Sequence, residues 1–155
     1  TGSFDNLNFK KYSIRSNIDA NITKDLAPGH CAEAFSLEEY IRCGGRLILR
    51  ERGSGTRYYF DRFLQTRKLP EPPPRNILEV NSFDALKRFV RQGLGITVIS
   101  KLAIGDELAA GTLATGRFTE GEIVRRMNFI YLPGGELKFA ETFIAYCKAN
   151  TPAHA

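Results

Sequence analysis

Apolar residues in the middle of the chain come in short blocks whose spacing alternates between two periods. Leu47-Ile48-Leu49, framed by Arg46 and Arg50, is an unalternated run of strand length, which suits a strand buried on both faces of a parallel sheet. After Gly53-Ser54-Gly55-Thr56, the positions Tyr59, Phe60, Phe63 and Leu64 recur at i, i+1, i+4 and i+5, predicting a helix to about Lys68. Pro70 and Pro72-Pro73-Pro74 stop it. Asn76 to Val80 predicts a second strand. Ser82 then caps a helix with Phe83, Leu86, Phe89 and Val90 on one stripe, and Gly93 closes it. Ile96 to Ile99 forms a third, β-branched strand. Strand, helix, strand, helix, strand in this order predicts a parallel α/β sheet with right-handed crossovers.

The flanks are less regular. From Phe4 to Pro28 only Phe9, Tyr12 and Ile14 hint at a strand, because asparagines and charges interrupt the pattern. Ser36 with Glu39 three residues on makes a capping box for a short helix that Gly44-Gly45 ends. Beyond Ser100 the pattern predicts a short helix at Asp106 to Ala110, a strand at Val124 to Leu132 and a Pro133-Gly134-Gly135 turn. A last helix, Leu137 to about Lys148, is expected to dock on a sheet through Leu137, Ala140, Ile144 and Cys147, with Phe143 beside them.

Composition narrows the class without changing this picture. The chain has 155 residues, 43% apolar and 25% charged, as ordinary soluble globular domains do. Its net charge of +5 is scattered. The nearest approach to a basic cluster, Lys87, Arg88 and Arg91, reads as the wet face of one helix, so no direct nucleic-acid surface is expected. Cys31, Cys43 and Cys147 are odd in number and far apart, which excludes a disulfide framework and a paired metal-ligand motif and fits a reducing, cytoplasmic setting. No stretch approaches the roughly 18 apolar residues of a membrane span.

Candidate chemistry gathers on two loops. Gly53-Ser54-Gly55-Thr56 follows a strand and opens a helix, so free backbone N–H groups, the positive end of the helix and two hydroxyls face an incoming anion or carboxylate. The plainer reading, in which Ser54 only caps the helix, stays open at this point. Asn81-Ser82 is the second such loop, where Asn81 either presents an amide to a ligand or satisfies its own turn. In open α/β sheets, ligands lie beyond the carboxyl ends of the strands, where both loops are expected. Catalytic readings fit poorly. Gly53-Ser54-Gly55 lacks the spacing of a nucleophile elbow, the only histidines are His30 and His154, and no Walker lysine or zinc spacing occurs. No catalytic residue, metal or cofactor is expected. A small hydrolase using Ser54 is the weakest alternative.

Taken in order, several stretches resemble the effector-binding domain of LysR-type transcriptional regulators. They are Leu47 to Arg57, Glu79 to Arg88 followed by Gly93 to Ile99, Glu107 to Leu113, Asn128 to Tyr146, and Pro28-Gly29-His30 at the end of a crossover. The resemblance implies two periplasmic-binding-protein-like α/β lobes, a mostly parallel sheet flanked by helices, and an effector held between the lobes. On that basis residues 1–35 are a remnant of the first lobe and a crossover, 36–100 the second lobe, and 101–155 the return crossover with a first-lobe strand and helix. The family's helix-turn-helix and the opening strand-helix-strand of its first lobe are absent from this chain, and Ser100 stands where proline is common in the family. A truncated domain or atypical gene product with an incomplete first lobe is therefore expected. Matching positions assign effector contacts to Arg50, Ser54, Gly55, Thr56, Asn81, Ser82 and, more weakly, Thr97. Implied partners are a small-molecule effector, a second copy in a homodimer, and DNA only through the absent helix-turn-helix. The alternative is a solute-binding protein of a transport system, which shares the lobed architecture.

Overall fold

The computed structural model describes residues 10–22, 34–131 and 137–150. The Pro28-Gly29-His30 crossover, the Pro133-Gly134-Gly135 turn, Cys31 and His154 lie outside these described residues. The chain divides into a larger unit, Asn17–Val124, and a smaller one drawn from Thr1–Ser16 and Arg125–Ala155.

The larger unit contains β2 (Ala34–Phe35), α1 (Leu37–Arg42), β3 (Leu47–Arg50), α2 (Gly55–Arg67), β4 (Ile77–Val80), α3 (Phe83–Arg91), β5 (Ile96–Ser100), α4 (Gly105–Ala109) and β6 (Ala114–Phe118). It also takes the end of β1 (Lys10–Ile22). Among the described residues the strand order is β2-β6-β1-β5-β3-β4. β3 runs parallel to both β4 and β5, with Arg50 opposite Val80 and Ile48 opposite Thr97. β1 is antiparallel to β5 and β6, so that Asn21 faces Thr97 on one side and Thr115 on the other. The predicted parallel triplet is therefore the middle of a mixed sheet.

Cores on both faces explain why β3 lacks alternation. On one face Leu47 and Leu49 pack with Ile96, Val98 and the α2 residues Phe60, Phe63 and Leu64. On the other, Ile48 packs with Ile99, Ile104 and the α3 residues Leu86 and Val90. Each fully buried aliphatic or aromatic side chain of this kind contributes roughly 1.5–3 kcal/mol. One predicted stripe position departs from the core: Phe83, at the first turn of α3, is 43% exposed. Its ring has another neighbour, described below.

Helix ends follow local chemistry. Gly93 takes φ +74 just past α3, and its N–H reaches the Val90 carbonyl at 2.9 Å, as a left-handed helix stop requires. At α1 only half of the predicted capping box forms as expected: the Ser36 hydroxyl accepts from the Glu39 N–H at 3.1 Å. The carboxylate at this helix start comes instead from Glu120, which accepts from the Ser36 hydroxyl at 2.9 Å and from the Leu37 and Glu38 N–H groups at 3.1 and 3.0 Å. Lys87 of α3 pairs with Glu107 of α4 at 2.8 Å and holds that carboxyl below the usual glutamate range.

In the smaller unit β7 (Ile123–Tyr131) pairs with β1, and α5 spans Leu137–Asn150. Ile144 is buried as the apolar spacing of α5 predicts, but Phe143 is 59% exposed.

Candidate functional site

Parallel register fixes where the two loops emerge. Because Arg50 lies opposite Val80, β3 and β4 end at the same level, and the Glu51 N–H extends the ladder to the Val80 carbonyl at 3.2 Å. The chain then leaves both strands on one rim, through Glu51 to Ser54 and through Asn81-Ser82. A wider offset would have separated the loops.

The loop after β3 turns at Gly53, whose φ of +105 favours glycine, and the Ser54 N–H closes the turn on the Glu51 carbonyl at 3.1 Å. Ser54 caps α2 by accepting from the Arg57 N–H at 3.1 Å, and Ser82 caps α3 by accepting from the Ala85 N–H at 3.5 Å. Two helices thus start at the rim with their positive ends toward it. Both hydroxyls already serve as caps, while Gly55, Asn81 and Ser82 are exposed and Ser54 is half-buried.

Arg50 brings the fixed charge. Its side chain is only 14% exposed, and the guanidinium grips Glu51 through Nε–Oε2 at 2.8 Å and Nη2–Oε1 at 2.9 Å. The same group lies 4.2 Å from the centroid of the Phe83 ring, which accounts for that residue's place outside the core. The Arg50 guanidinium holds the Glu51 carboxyl below the usual glutamate range.

Arg57, 6% exposed, stabilises the rim from below. It bonds Asp61 at 2.8 Å, reaches the Arg50 carbonyl at 3.4 Å and lies 3.7 Å from a Glu79 oxygen, tying the end of β3 to α2 and β4. Arg57, Glu51 and Phe83 were not among the residues the sequence pointed to. Their signal was adjacency alone: Glu51 follows Arg50, Arg57 follows the glycine-serine loop, and Phe83 follows a cap.

The remaining two candidates lie apart from the exposed rim. Thr56 is buried on α2 at 8% exposure, and Thr97 sits inside β5 at 1% exposure with no hydrogen-bond partner for its Oγ1 among the described residues. An unpaired buried hydroxyl is unfavourable, so Thr97→Val is expected to raise stability by about 1 kcal/mol, read from the urea midpoint. A loss of stability would mean that the hydroxyl has an unrecognised partner.

A cavity of about 470 Å³ opens beside α2 and the edge strand β4, lined by Arg52, Arg57, Asp61, Glu71, Pro72 and Glu79 among others. It contains none of the predicted contact residues. Among the described residues no cluster of His, Cys, Asp and Glu is placed to hold a metal, and no helix is long and apolar enough to cross a membrane.

Comparison with known proteins identifies a family. A family model described as the LysR substrate binding domain matches residues 26–152. The uncharacterized HTH-type transcriptional regulator YeiE of Escherichia coli (strain K12) is 37% identical over 107 residues, which are 68% of this chain and 36% of that protein. The HTH-type transcriptional regulator CbbR of Rhodospirillum rubrum is 28% identical over 138 residues, 83% of this chain and 45% of that one. In fold, the chain matches the Synechocystis PCC6803 CcmR regulatory domain in complex with 2-PG, with a TM-score of 0.70, 23% identity, and coverage of 98% of this chain and 73% of that one. The QuiR effector-binding domain in complex with shikimate gives the same TM-score at 14% identity, covering 98% of this chain and 71% of that one. The chain thus spans less than half the length of the YeiE and CbbR regulators. The transport alternative is not favoured, since these relatives are regulators.

Proposed function

Because this chain belongs to the family of LysR substrate-binding domains, we propose that it is the sensing part of a transcriptional regulator and takes a small anionic effector on the rim where β3 and β4 end. The observation that carries this reading is the register of Arg50 against Val80. It brings a guanidinium, the Asn81 amide and the starts of α2 and α3 to one rim, and all of these favour negative charge. Ser54, Gly55 and Ser82 shape the same rim, while Thr56 on α2 and Thr97 inside β5 are buried apart from it.

Sensing here requires no chemistry on the ligand. An effector acts by binding one arrangement of the protein more tightly than another, so its differential affinity sets the regulatory signal. The same reading makes the whole protein a cytoplasmic homodimer that contacts DNA through a helix-turn-helix segment outside this chain. Static light scattering distinguishes dimer from monomer.

A panel of anionic metabolites that includes 2-PG and shikimate, screened by thermal shift and titration calorimetry, tests the site. At least one anion is expected to bind with a micromolar dissociation constant, and Arg50→Gln or Asn81→Ala to weaken it about tenfold or more while the fold is retained. The same affinity in both variants would place the effector elsewhere.

A further inference from the structure

The guanidinium at the rim is already occupied. Glu51 takes two of its donors in a side-by-side pair at 2.8 and 2.9 Å, and Phe83 covers one face at 4.2 Å. The partner is not deeply buried: the Glu51 side chain is 37% exposed against 14% for Arg50. The Glu51 backbone is fixed by its bond to Val80 and by the turn to Ser54, but its carboxylate reaches Arg50 through rotatable bonds. The arrangement therefore consists of a nearly buried, stationary cation and an accessible, displaceable anion.

We propose that Glu51 is a specificity-determining residue of this site, an internal carboxylate that competes with the effector for Arg50 and so excludes weakly charged anions. The inference rests on the reading of the rim as an anion site. An incoming anion either displaces the Glu51 carboxylate or is left with the Nη1 edge of the guanidinium. Displacement releases a charged group into water and forms a pair of similar geometry, so the exchange favours ligands that exceed a single carboxylate in charge or donor-matched oxygens. A phosphate monoester or a dicarboxylate meets that condition. A simple monocarboxylate does not, because it offers Arg50 no more than Glu51 already does. Phe83 strengthens the filter by holding the guanidinium in one orientation, so the cation does not swing out to meet a weaker ligand.

The test uses inorganic phosphate and acetate as probes, titrated calorimetrically into the full chain and into Glu51→Gln, Glu51→Ala and Arg50→Gln at constant ionic strength, with circular dichroism confirming the fold of each. Glu51→Gln and Glu51→Ala are each expected to bind phosphate about tenfold more tightly than the parent and to gain measurable acetate binding. Adding Arg50→Gln to Glu51→Gln is expected to remove the gain. Unchanged phosphate affinity in both Glu51 variants, with binding still lost in Arg50→Gln, overturns the competitor role and leaves the anion site standing. A gain in the Glu51 variants that survives Arg50→Gln overturns both, as does phosphate binding that ignores every substitution or is absent throughout.

Discussion

Gly95→Ala is expected to lower stability by roughly 3 kcal/mol or more. Gly95 adopts φ +156, and a Cβ built there would lie 2.3 Å from the Arg46 carbonyl oxygen and 3.3 Å from the Arg46 Cβ. The obstacle is backbone, so no rotamer change relieves it. The same carbonyl accepts from the Ile96 N–H at 3.1 Å and from the Tyr40 hydroxyl at 2.8 Å. Moving it aside would break the first rung joining β5 to β3 and release the phenol that braces the end of α1. Urea unfolding followed by circular dichroism reads the effect, with Gly55→Ala as a control because nothing lies within 4 Å of a Cβ there. A Gly95→Ala midpoint equal to the parent's would show that the backbone at this position has slack.

Glu120→Ala is expected to cost about 2–3 kcal/mol at neutral pH, and that loss is expected to shrink in acid. The side chain joins the segment after β6 to the start of α1, satisfying the Leu37 and Glu38 N–H groups that the helix itself leaves unpaired. Leu37 is fully buried, so without the carboxylate its N–H has no ready access to water. Burial pushes the Glu120 pKa up, but the Glu38 and Leu37 N–H groups and the Ser36 hydroxyl outweigh it, and the net displacement is downward. A carboxyl depressed in the folded state stabilises above its unfolded value, about 4.3, and that stabilisation disappears as pH falls through the lower folded value. Unfolding midpoints of the parent and of Glu120→Gln measured from pH 7 to pH 3 check the sign. The two curves should converge toward the acid end. A constant gap would assign the effect to packing rather than to charge.

Much of the larger unit was legible because its information is local. Leu47 to Leu49, the aromatic spacing of α2 and the Ser82 cap each specify an element within a few residues, and their order specifies the crossovers. β1 and β6 were harder to read for opposite reasons. β1 is a 13-residue strand whose sequence is broken by asparagines and charges. β6, Ala114–Phe118, alternates buried and more exposed positions, but it does so with alanine and glycine, which carry almost no hydrophobic signal. The site divides along the same line. Arg50 ends β3, and Ser54, Asn81 and Ser82 stand on loops that local patterns mark. The partners that set their chemistry come from elsewhere: Phe83 was read as a core position, and Arg57 and Glu51 look like ordinary surface charges until the register brings β4 alongside. Glu120 lies furthest from any local signal, since the Ser36, Leu37 and Glu38 groups that it caps precede it by more than 80 residues.

The placement of β1 between β5 and β6 has a kinetic consequence. β3, α2, β4, α3 and β5 are contiguous, so they can close on one another through short loops, whereas Asn21 meets Thr97 and Thr115 only after most of the unit has been bridged. Loop-closure entropy is lost before such distant pairings return any contact energy. The contiguous crossovers are therefore expected to assemble early and to serve as a template onto which β1 zips late, so the pace of refolding is expected to be governed by the arrival of β1 rather than by formation of the rim.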